Sequence, residues 1–220
     1  WSMDRKGVRG PSRTAPRKNA PEPRGAAVLP GTYLVRVTYG DTSSETPITI
    51  ESDPRYDVDL LALKERQAMY AEYEKMIVAA EKMMSRVREA KEIVSTVNAS
   101  LGDRDDETSK ELKKHGKTMT DSLSTFQDLY FGEQGKQGIY RDPNTIGSKV
   151  GGARGAIFSS KRPPNTPEQW AMSHARLALE NMLADVNGFL SGDWTEYVSE
   201  VTASDAFRID ALDGVEIENE

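Results

Sequence analysis

The feature that most constrains this chain is an apolar stripe that continues without a break through about four heptads. Its members are separated alternately by three and four positions, the spacing that places side chains on one face of an α-helix. Such a face must be covered by other helices, because it would otherwise be exposed to water. The stripe consists of Tyr73, Met76, Ala80, Met83, Val87, Ala90, Val94, Val97 and Leu101. The pattern predicts a helical bundle or coiled coil, with one helix from about Val58 to Leu101.

Three further segments show helical spacing. The second helix is predicted from about Glu107 to Phe131, after a charged run that supplies negative charge at its N-terminus. The third begins at Thr166, the expected N-cap, with Pro167 at the first helical position. A short fourth helix is predicted after Gly192. Their apolar stripes are Leu112, Met119, Leu123, Phe126 and Tyr130; then Met172, Ala175, Leu179, Met182, Val186 and Phe189; then Val198 and Val201.

A short β region precedes the helices. Apolar and polar residues alternate from Tyr33 to Tyr39, which is the period of a half-buried strand. Gly40-Asp41 supplies a tight turn, and 46–50 forms the returning strand, with Pro47 expected near a sheet edge. Two strands alone are marginal in water, so further strands of a β-sandwich must complete the hairpin, or it must pack on the helices. Because the chain begins at Trp1, we expect a fragment whose upstream strands complete the sandwich.

Three segments lack a strong period. The Pro-rich stretch 1–28 has seven basic residues against two acidic ones, and it is predicted to be a solvated loop or a binder of an acidic partner. The Gly-rich segment 132–165 is predicted to be irregular, and either functional or mobile. The tail from 204 onward is a weak apolar segment with an acidic end. Expected anchors in these segments are Trp1, Met3, Val8, Ile139, Tyr140, Ile146, Val150, Ile157, Phe158, Phe207, Ile209, Leu212, Val215 and Ile217.

The predicted fold class is α+β, mainly α. A β-hairpin remnant of a β-sandwich is followed by an antiparallel bundle of three long helices and one short helix. Residues 1–53 are assigned to the C-terminal part of the sandwich with its basic Pro-rich loop. Residues 54–203 form the helical bundle, including the loop 132–165, and residues 204–220 form a tail.

Composition excludes several classes of function. The net charge is −6 and the sequence pI is about 5.2, so the chain is a poor general binder of nucleic acid. No cysteine is present, which excludes disulfides and thiolate chemistry. No apolar run reaches the length of a membrane span. A hydrophobic fraction of 37% with a mean hydropathy of −0.63 suits elongated helices with a thin core.

No catalytic, cofactor-binding or metal-binding residue can be assigned from the sequence, and no cofactor is predicted. His115 and His174 each lack a second histidine or cysteine at helical spacing, so neither predicts a metal site. The acidic run 103–107 lacks the glycine and the terminal glutamate of an EF-hand loop. The glycines of 147–155 do not form a phosphate-binding loop. These features predict helix ends, partly buried or surface imidazoles, and loops.

Three stretches carry a family resemblance. They are Trp1-Ser-Met-Asp-Arg-Lys-Gly-Val-Arg9, Val28-Leu-Pro-Gly-Thr-Tyr-Leu-Val-Arg-Val-Thr38 and Ile48-Thr-Ile-Glu-Ser-Asp-Pro-Arg55. The chain resembles the C-terminal module of bacterial sortilin-like BNR/Asp-box β-propeller proteins, often labelled glycosyl hydrolases. In that family a tryptophan-containing strand and a strand of the PGTY type end a small β-sandwich, and a DPR segment leads into a helical bundle.

The resemblance implies a role without catalysis in this segment. It implies a C-terminal interaction or scaffolding module of a larger β-propeller protein that is periplasmic or secreted. The implied partner is the upstream propeller of the same polypeptide, with a homodimer or another protein as further partners. The alternative is an accessory or lid part of a glycoside hydrolase site, with the segment 132–165 closing over the propeller. The propeller's own Asp-box repeats do not occur here, so no catalytic residue is transferred.

Overall fold

The fold is mainly helical, with two small antiparallel sheets. The computed structural model describes residues 2–55, 57–135, 142–158, 160, 162–204, 212 and 214–217. The strands are β1 (Asp4–Lys6), β2 (Arg24–Ala27), β3 (Gly31–Tyr39) and β4 (Thr42–Ile50). The helices are α1 (Leu60–Leu101), α2 (Glu107–Phe131), α3 (Ile146–Phe158), α4 (Thr166–Ser191) and α5 (Asp193–Ala203).

The predicted α+β, mainly α class is confirmed, and the three long helices and the short last one are all present. Of the expected anchors, Trp1, Ile139, Tyr140, Phe207 and Ile209 lie outside the described residues.

Helix α1 is the central element of the bundle. Its 42 residues extend about 63 Å, and helices α2, α3 and α4 all contact it. The helix begins after Asp59, whose carboxylate accepts hydrogen bonds from the backbone N–H groups of Leu61 and Ala62, and it ends at Gly102. All nine residues of the predicted stripe are buried, so the stripe is confirmed as the main seam of the core.

A glycine on α2 makes room for a side chain of α1. A Cβ atom at Gly116 would lie 2.8 Å from the Oδ1 atom of Asn98, closer than real Cβ contacts allow. Glycine costs a helix roughly 1 kcal/mol relative to alanine, and here that cost accompanies the space taken by the Asn98 side chain. Leu112, Met119, Leu123 and Tyr130 of the predicted α2 stripe are buried, and Phe126 packs partly buried against the core.

The prediction of an irregular segment over 132–165 is wrong for its middle, which forms helix α3. Val150, Ala153 and Ile157 recur at helical spacing and are buried against α4 and its neighbours. A Cβ at Gly147 would meet the Tyr130 carbonyl oxygen at 2.7 Å, so glycine lets α3 approach α2. Tertiary packing therefore outweighs the poor helix propensity of a glycine-rich sequence.

The start of α4 also differs from its prediction by one residue. Asn165, not Thr166, is the N-cap, and its side chain accepts a hydrogen bond from the Glu168 backbone N–H at 3.0 Å. The Glu168 carboxylate accepts from the Asn165 backbone N–H at 3.0 Å, which completes a capping box. Asparagine and threonine are both favoured at the N-cap, so the presence of Pro167 alone did not distinguish Asn165 from Thr166.

The β3–β4 hairpin is longer than predicted. The strands pair antiparallel in a continuous register from Gly31 with Ile50 to Tyr39 with Thr42, across the predicted turn at Gly40-Asp41. Pro47 lies in β4, which is an edge strand as expected, because each described sheet has only two strands.

The basic stretch 1–28 is not wholly irregular, because β1 and β2 pair within it. Arg13 fixes the stretch to the end of α2: its guanidinium donates to Asp128 at 2.9 Å and lies 5.2 Å from the centre of the Phe131 ring. Val8 packs against the core, as predicted, whereas Met3 is 55% exposed and is not an anchor. The acidic partner of Arg13 thus lies within the chain itself.

Candidate interaction surfaces

The β3–β4 hairpin exposes large apolar side chains on both of its faces. Val37 is 65% exposed and Tyr39 is 90% exposed on one face, and Leu34 is 59% exposed on the other. Cross-strand neighbours of Val37 and Tyr39 are the small polar residues Ser44 and Thr42, which cover little of this surface. Isolated exposed apolar residues are ordinary, but a cluster on a free hairpin indicates an interaction site.

The hairpin does not belong to the core of the bundle. None of its side chains joins the buried cluster or the apolar residues packed against it, as far as the structure describes them. Only the base of the hairpin is half-buried, at Tyr33, Val35, Ile48 and Ile50. Of the two expectations for the hairpin, packing on the helices is therefore not the one observed. Completion by further strands remains a prediction.

Both strands also present a free edge. Each backbone edge offers N–H and C=O groups that could pair with another strand, and such edges are interaction sites or aggregation hazards unless protected. Pro47 removes one donor from β4, and a cross-strand ion pair of Arg36 with Glu45 places charge beside it. The edge of β3 has no proline along its nine residues.

Helix α4 carries a second exposed apolar patch. Trp170 is 64% exposed and stacks on the His174 ring, with centroids 4.9 Å apart, and Leu177 follows one heptad later at 57% exposure. A shallow groove of about 370 Å³ runs beside it between α1 and α4. An ion pair of Arg176 with Glu72, at 2.8 Å, bridges this groove. The neighbours of this patch include the charged residues Glu72, Arg176 and Glu180.

The two histidines considered in the sequence analysis have different surroundings. The Nδ1 atom of His115 is 2.7 Å from a carboxylate oxygen of Glu200 on α5, and its ring meets Tyr197 edge-on at 5.3 Å. His174 lies on the surface against Trp170. No group of three or more histidine, cysteine or acidic side chains that could hold a metal ion occurs among the described residues.

The most buried ion pair among the described residues joins three elements of the bundle. Arg66 of α1 donates to both carboxylate oxygens of Glu168 at 2.9 Å, and the two side chains are only 7% and 6% exposed. The same guanidinium donates to the carbonyl oxygens of Ile157, at 2.8 Å, and Arg162. Burial alone would raise the pKa of Glu168, but the hydrogen bonds from Arg66 and from the Asn165 backbone hold that pKa below its usual value. This site fixes the end of α3 and the start of α4 on α1, so its role is structural.

Buried tyrosines form the other polar part of the core. Burial raises the pKa of Tyr73 and of Tyr197 to about 12, and it raises the pKa of Tyr130 as well. The hydroxyl of Tyr197 and the indole N–H of Trp194 are buried and have no hydrogen-bond partner among the described residues. Helix α5 is held by this packing, by the edge-on His115 ring and by the contact of the same ring with the Glu200 carboxylate.

Comparisons with known proteins identified no relative of this chain. No family model, curated protein or solved structure matches the chain. The resemblance to sortilin-like propeller proteins therefore stays a prediction. Among the described helices, none combines the length and the apolar character needed to cross a membrane.

Sequence reasoning did not find the Trp170 patch, because an exposed tryptophan on an amphipathic helix has no sequence signal of its own.

Proposed function

We propose that this chain is a non-catalytic interaction or scaffolding module of a larger β-propeller protein, and that the β3–β4 hairpin is the element that docks. The observation that carries the proposal is the exposure of Leu34, Val37 and Tyr39 on a hairpin that no part of the described bundle covers. An isolated hairpin of two strands is marginal in water, so a neighbour that covers it would stabilise it.

The proposed occupant of this surface is a β-rich domain that precedes residue 1 in the same polypeptide. Extended partners recognise free edges by main-chain hydrogen bonds and fill pockets with alternate side chains, which fits both the edge of β3 and its alternating apolar residues. The half-buried base at Tyr33 and Ile50 is consistent with a sheet that continues toward a neighbour. The periplasmic or secreted location is part of the same proposal and derives from the family resemblance alone.

The bundle would serve as the rigid part of such a module. A continuous helix of about 63 Å, with α2, α3 and α4 packed along it, holds its two ends at a fixed distance. The Arg66–Glu168 pair and the capping box at Asn165 fix the helix ends that lie nearest the linker from the hairpin. A rigid spacer that carries an exposed apolar hairpin at one end suits a scaffold.

The alternative, a lid of a glycoside hydrolase site, receives no added support from the described part of 132–165. Val150, Ala153 and Ile157 pack α3 into the bundle, and a lid needs a segment that can move. Deleting residues 1–220 from the parent polypeptide and measuring glycoside turnover separates the two functions. The scaffold proposal expects unchanged turnover per propeller, and a loss of tenfold or more would favour the lid.

The docking proposal is tested by hydrogen exchange of the hairpin amides in the parent polypeptide and in the isolated chain 1–220. We expect at least tenfold slower exchange in the parent, because the preceding domain covers the hairpin. The double variant Val37→Lys with Tyr39→Lys should abolish that protection. The matched control is Thr38→Lys with Arg36→Lys on the opposite face of the same strand, which should keep most of it. Equal exchange in the two polypeptides, or a parent with no β-rich domain before residue 1, would refute the proposal.

A further inference from the structure

The solvent-facing side of α4 carries a long stripe without any charged residue. Its members recur at steps of three and four, like the buried stripe of α1, yet every one of them is exposed. We call this set the α4 outer face, and it consists of Thr166, Trp170, Ser173, Leu177, Asn181, Ala184 and Gly188. The exposed face of α2 is instead charged, with Lys110, Lys114, Lys117 and Asp121. Because a solvent-facing side is normally charged, the α4 outer face has the pattern of a second packing seam.

The N-terminal half of the α4 outer face supplies large apolar side chains. Trp170 and Leu177 lie one heptad apart, and both are mostly exposed. The Trp170 ring stacks on the His174 ring with an interplanar angle of 14°, which holds its orientation in the free chain. A side chain that is already ordered loses less freedom on binding, and tryptophan is among the residues that dominate interface energies. This half therefore carries the anchors of an interface.

The C-terminal half of the same face is small. Ala184 lies two heptads after Trp170, and Gly188 follows one turn later. A Cβ atom added at Gly188 would meet nothing within 4 Å, so packing within the described chain does not require a glycine there. Glycine weakens a helix interior, but it lets another element approach the backbone closely. This half therefore leaves room for large side chains from outside the chain.

We propose that the α4 outer face binds the same face of a second copy of this chain, with the two helices antiparallel and a two-fold axis at Leu177. A dimer with two-fold symmetry uses one surface twice, so that surface must be complementary to itself. The α4 outer face meets this condition in antiparallel order, because its large half then lies on its small half. The inference concerns a surface apart from the hairpin and does not depend on the function proposed above.

An axis at Leu177 fixes which residues share each layer of the interface. Trp170 of one copy lies over Ala184 of the other, and the two Leu177 side chains meet at the axis. Ser173 lies beside Asn181, and a hydroxyl and an amide can exchange hydrogen bonds there. The matched layers span about 33 Å of helix. Each large side chain faces a small one, which is the arrangement that close packing requires.

Charges at the rim of the α4 outer face agree with this arrangement. Arg176 and Glu180 lie on the same flank of α4, with their side chains 3.6 Å apart. In an antiparallel pair each flank faces the same flank of the other helix, so Glu180 of one copy lies near Arg176 of the other. Arg176 already pairs with Glu72 of its own copy at 2.8 Å, and the dimer extends this network across the axis. Rim charges set orientation more than affinity, so the apolar layers carry the association.

Single cysteines test the orientation, because the chain has no cysteine of its own. Leu177→Cys should form a disulfide-linked dimer on mild oxidation, since the axis brings the two sulfur atoms together. Ser173→Cys and Asn181→Cys should cross-link at least tenfold faster when mixed than either does alone. Non-reducing electrophoresis follows the products. Equally fast cross-linking of each variant by itself would indicate a parallel or unspecific contact and would overturn the proposal.

Exchange of a large and a small residue tests the packing. Trp170→Ala leaves a gap and Ala184→Trp places two tryptophans in one layer, so each should weaken dimerisation at least tenfold. The double variant again has one large and one small residue in that layer, and it should bind at least fivefold more tightly than either single variant. Sedimentation equilibrium at up to about 1 mM chain gives the dissociation constants. Leu129→Ala, which shortens an exposed leucine on α2, is the control and should leave the dissociation constant unchanged.

Three results would overturn the proposal. They are a native chain that stays monomeric at about 1 mM, a dimer that Trp170→Ala does not weaken, and a double variant that binds no more tightly than the single ones. The exchanged positions are exposed, so these variants keep the core of the bundle intact. Far-ultraviolet circular dichroism of every variant checks that the helices persist.

Discussion

The α1 seam and the β3–β4 hairpin both read as strong apolar patterns in the sequence, yet they differ completely in burial. Val87 is fully buried at the centre of α1, whereas Val37 is 65% exposed in β3. The period of each pattern correctly indicated the local conformation. Burial requires a partner surface, and α1 finds one in the helices that follow it, while the hairpin finds none in the described chain. A pattern therefore predicts which face of an element is apolar, but it does not predict which surface covers that face.

The largest expected effect comes from placing the same charge in both regions. Val87→Asp buries a carboxylate without a partner and should lower the free energy of unfolding by about 4 kcal/mol or more. Val37→Asp should change it by less than about 0.5 kcal/mol, because the side chain is already in water. Urea denaturation followed by circular dichroism at 222 nm measures both. Similar losses for the two variants would show that the hairpin is part of the cooperative unit.

The buried Arg66–Glu168 pair provides the next test, because the hairpin has only an exposed counterpart. Arg66→Met leaves a carboxylate and two carbonyl oxygens without their donor, so we expect a loss of about 3–5 kcal/mol. Combining it with Glu168→Gln should recover part of that loss, with a coupling free energy of at least about 1 kcal/mol.

The matched control for this pair is in the hairpin. Arg36→Met removes the partner of Glu45, and the two side chains of that pair are 66% and 37% exposed. Exposed pairs typically contribute about 0.2–1 kcal/mol, so the change in bundle stability should be within that range or absent. A strictly additive double variant at 66 and 168 would contradict the role assigned to the buried pair.

The glycines of α3 should separate close packing from helix propensity. Gly147→Ala forces a Cβ against the Tyr130 carbonyl oxygen and should cost about 1–3 kcal/mol. Gly151→Ala, in the same helix with open space around it, should instead gain about 0.5–1 kcal/mol. Thermal unfolding of the two variants checks the opposite signs. Equal changes would mean that α3 does not lie against α2 as described.

Helix α3 also shows where prediction from sequence stops. The long seam from Tyr73 to Leu101 was fully predictable, because nine residues agree on one period. Val150, Ala153 and Ile157 follow the same period, but only over two turns and among glycines that favour loops. Contacts with α4, which lie beyond any local window, decide the outcome. The hydrogen bond from Asn187 to the carbonyl oxygen of Val215 was unpredictable for a stronger reason, since an asparagine in a helix has no signal that it bonds to backbone 28 residues away.

Alkaline pH should weaken the bundle through its buried tyrosines. The pKa of Tyr197 is raised to about 12 in the fold, against an ordinary value of 10.0 in the unfolded chain. The stability from its neutral form is complete below pH 10 and is lost as pH rises toward 12, because the unfolded chain releases its proton first. At pH 11 this amounts to about 1.4 kcal/mol. Tyr197→Phe should therefore lose that much less stability between pH 8 and pH 11 than the native chain.

Urea denaturation at the two pH values measures this difference. Tyr39→Phe is the matched control, because that side chain lies at the hairpin tip, outside the bundle. The control should follow the native pH dependence of bundle unfolding. A Tyr197→Phe chain that loses as much stability as the native one would show that the hydroxyl titrates without unfolding the core.

The smallest effect on the bundle should come from destroying the hairpin itself. Gly40 has φ of +56° in the turn between β3 and β4, a backbone conformation that branched residues adopt only under strain. Gly40→Val should therefore unpair the strands, while Gly40→Asn, which tolerates this conformation, should leave them paired. Nuclear magnetic resonance chemical shifts of 31–50 report the pairing, and the helical signal at 222 nm reports the bundle. We expect the valine variant to lose the strand shifts while the free energy of bundle unfolding changes by less than about 0.5 kcal/mol, since no hairpin side chain joins the core. A larger fall would mean that the hairpin stabilises the helices, and its apolar face would then have an occupant within this chain.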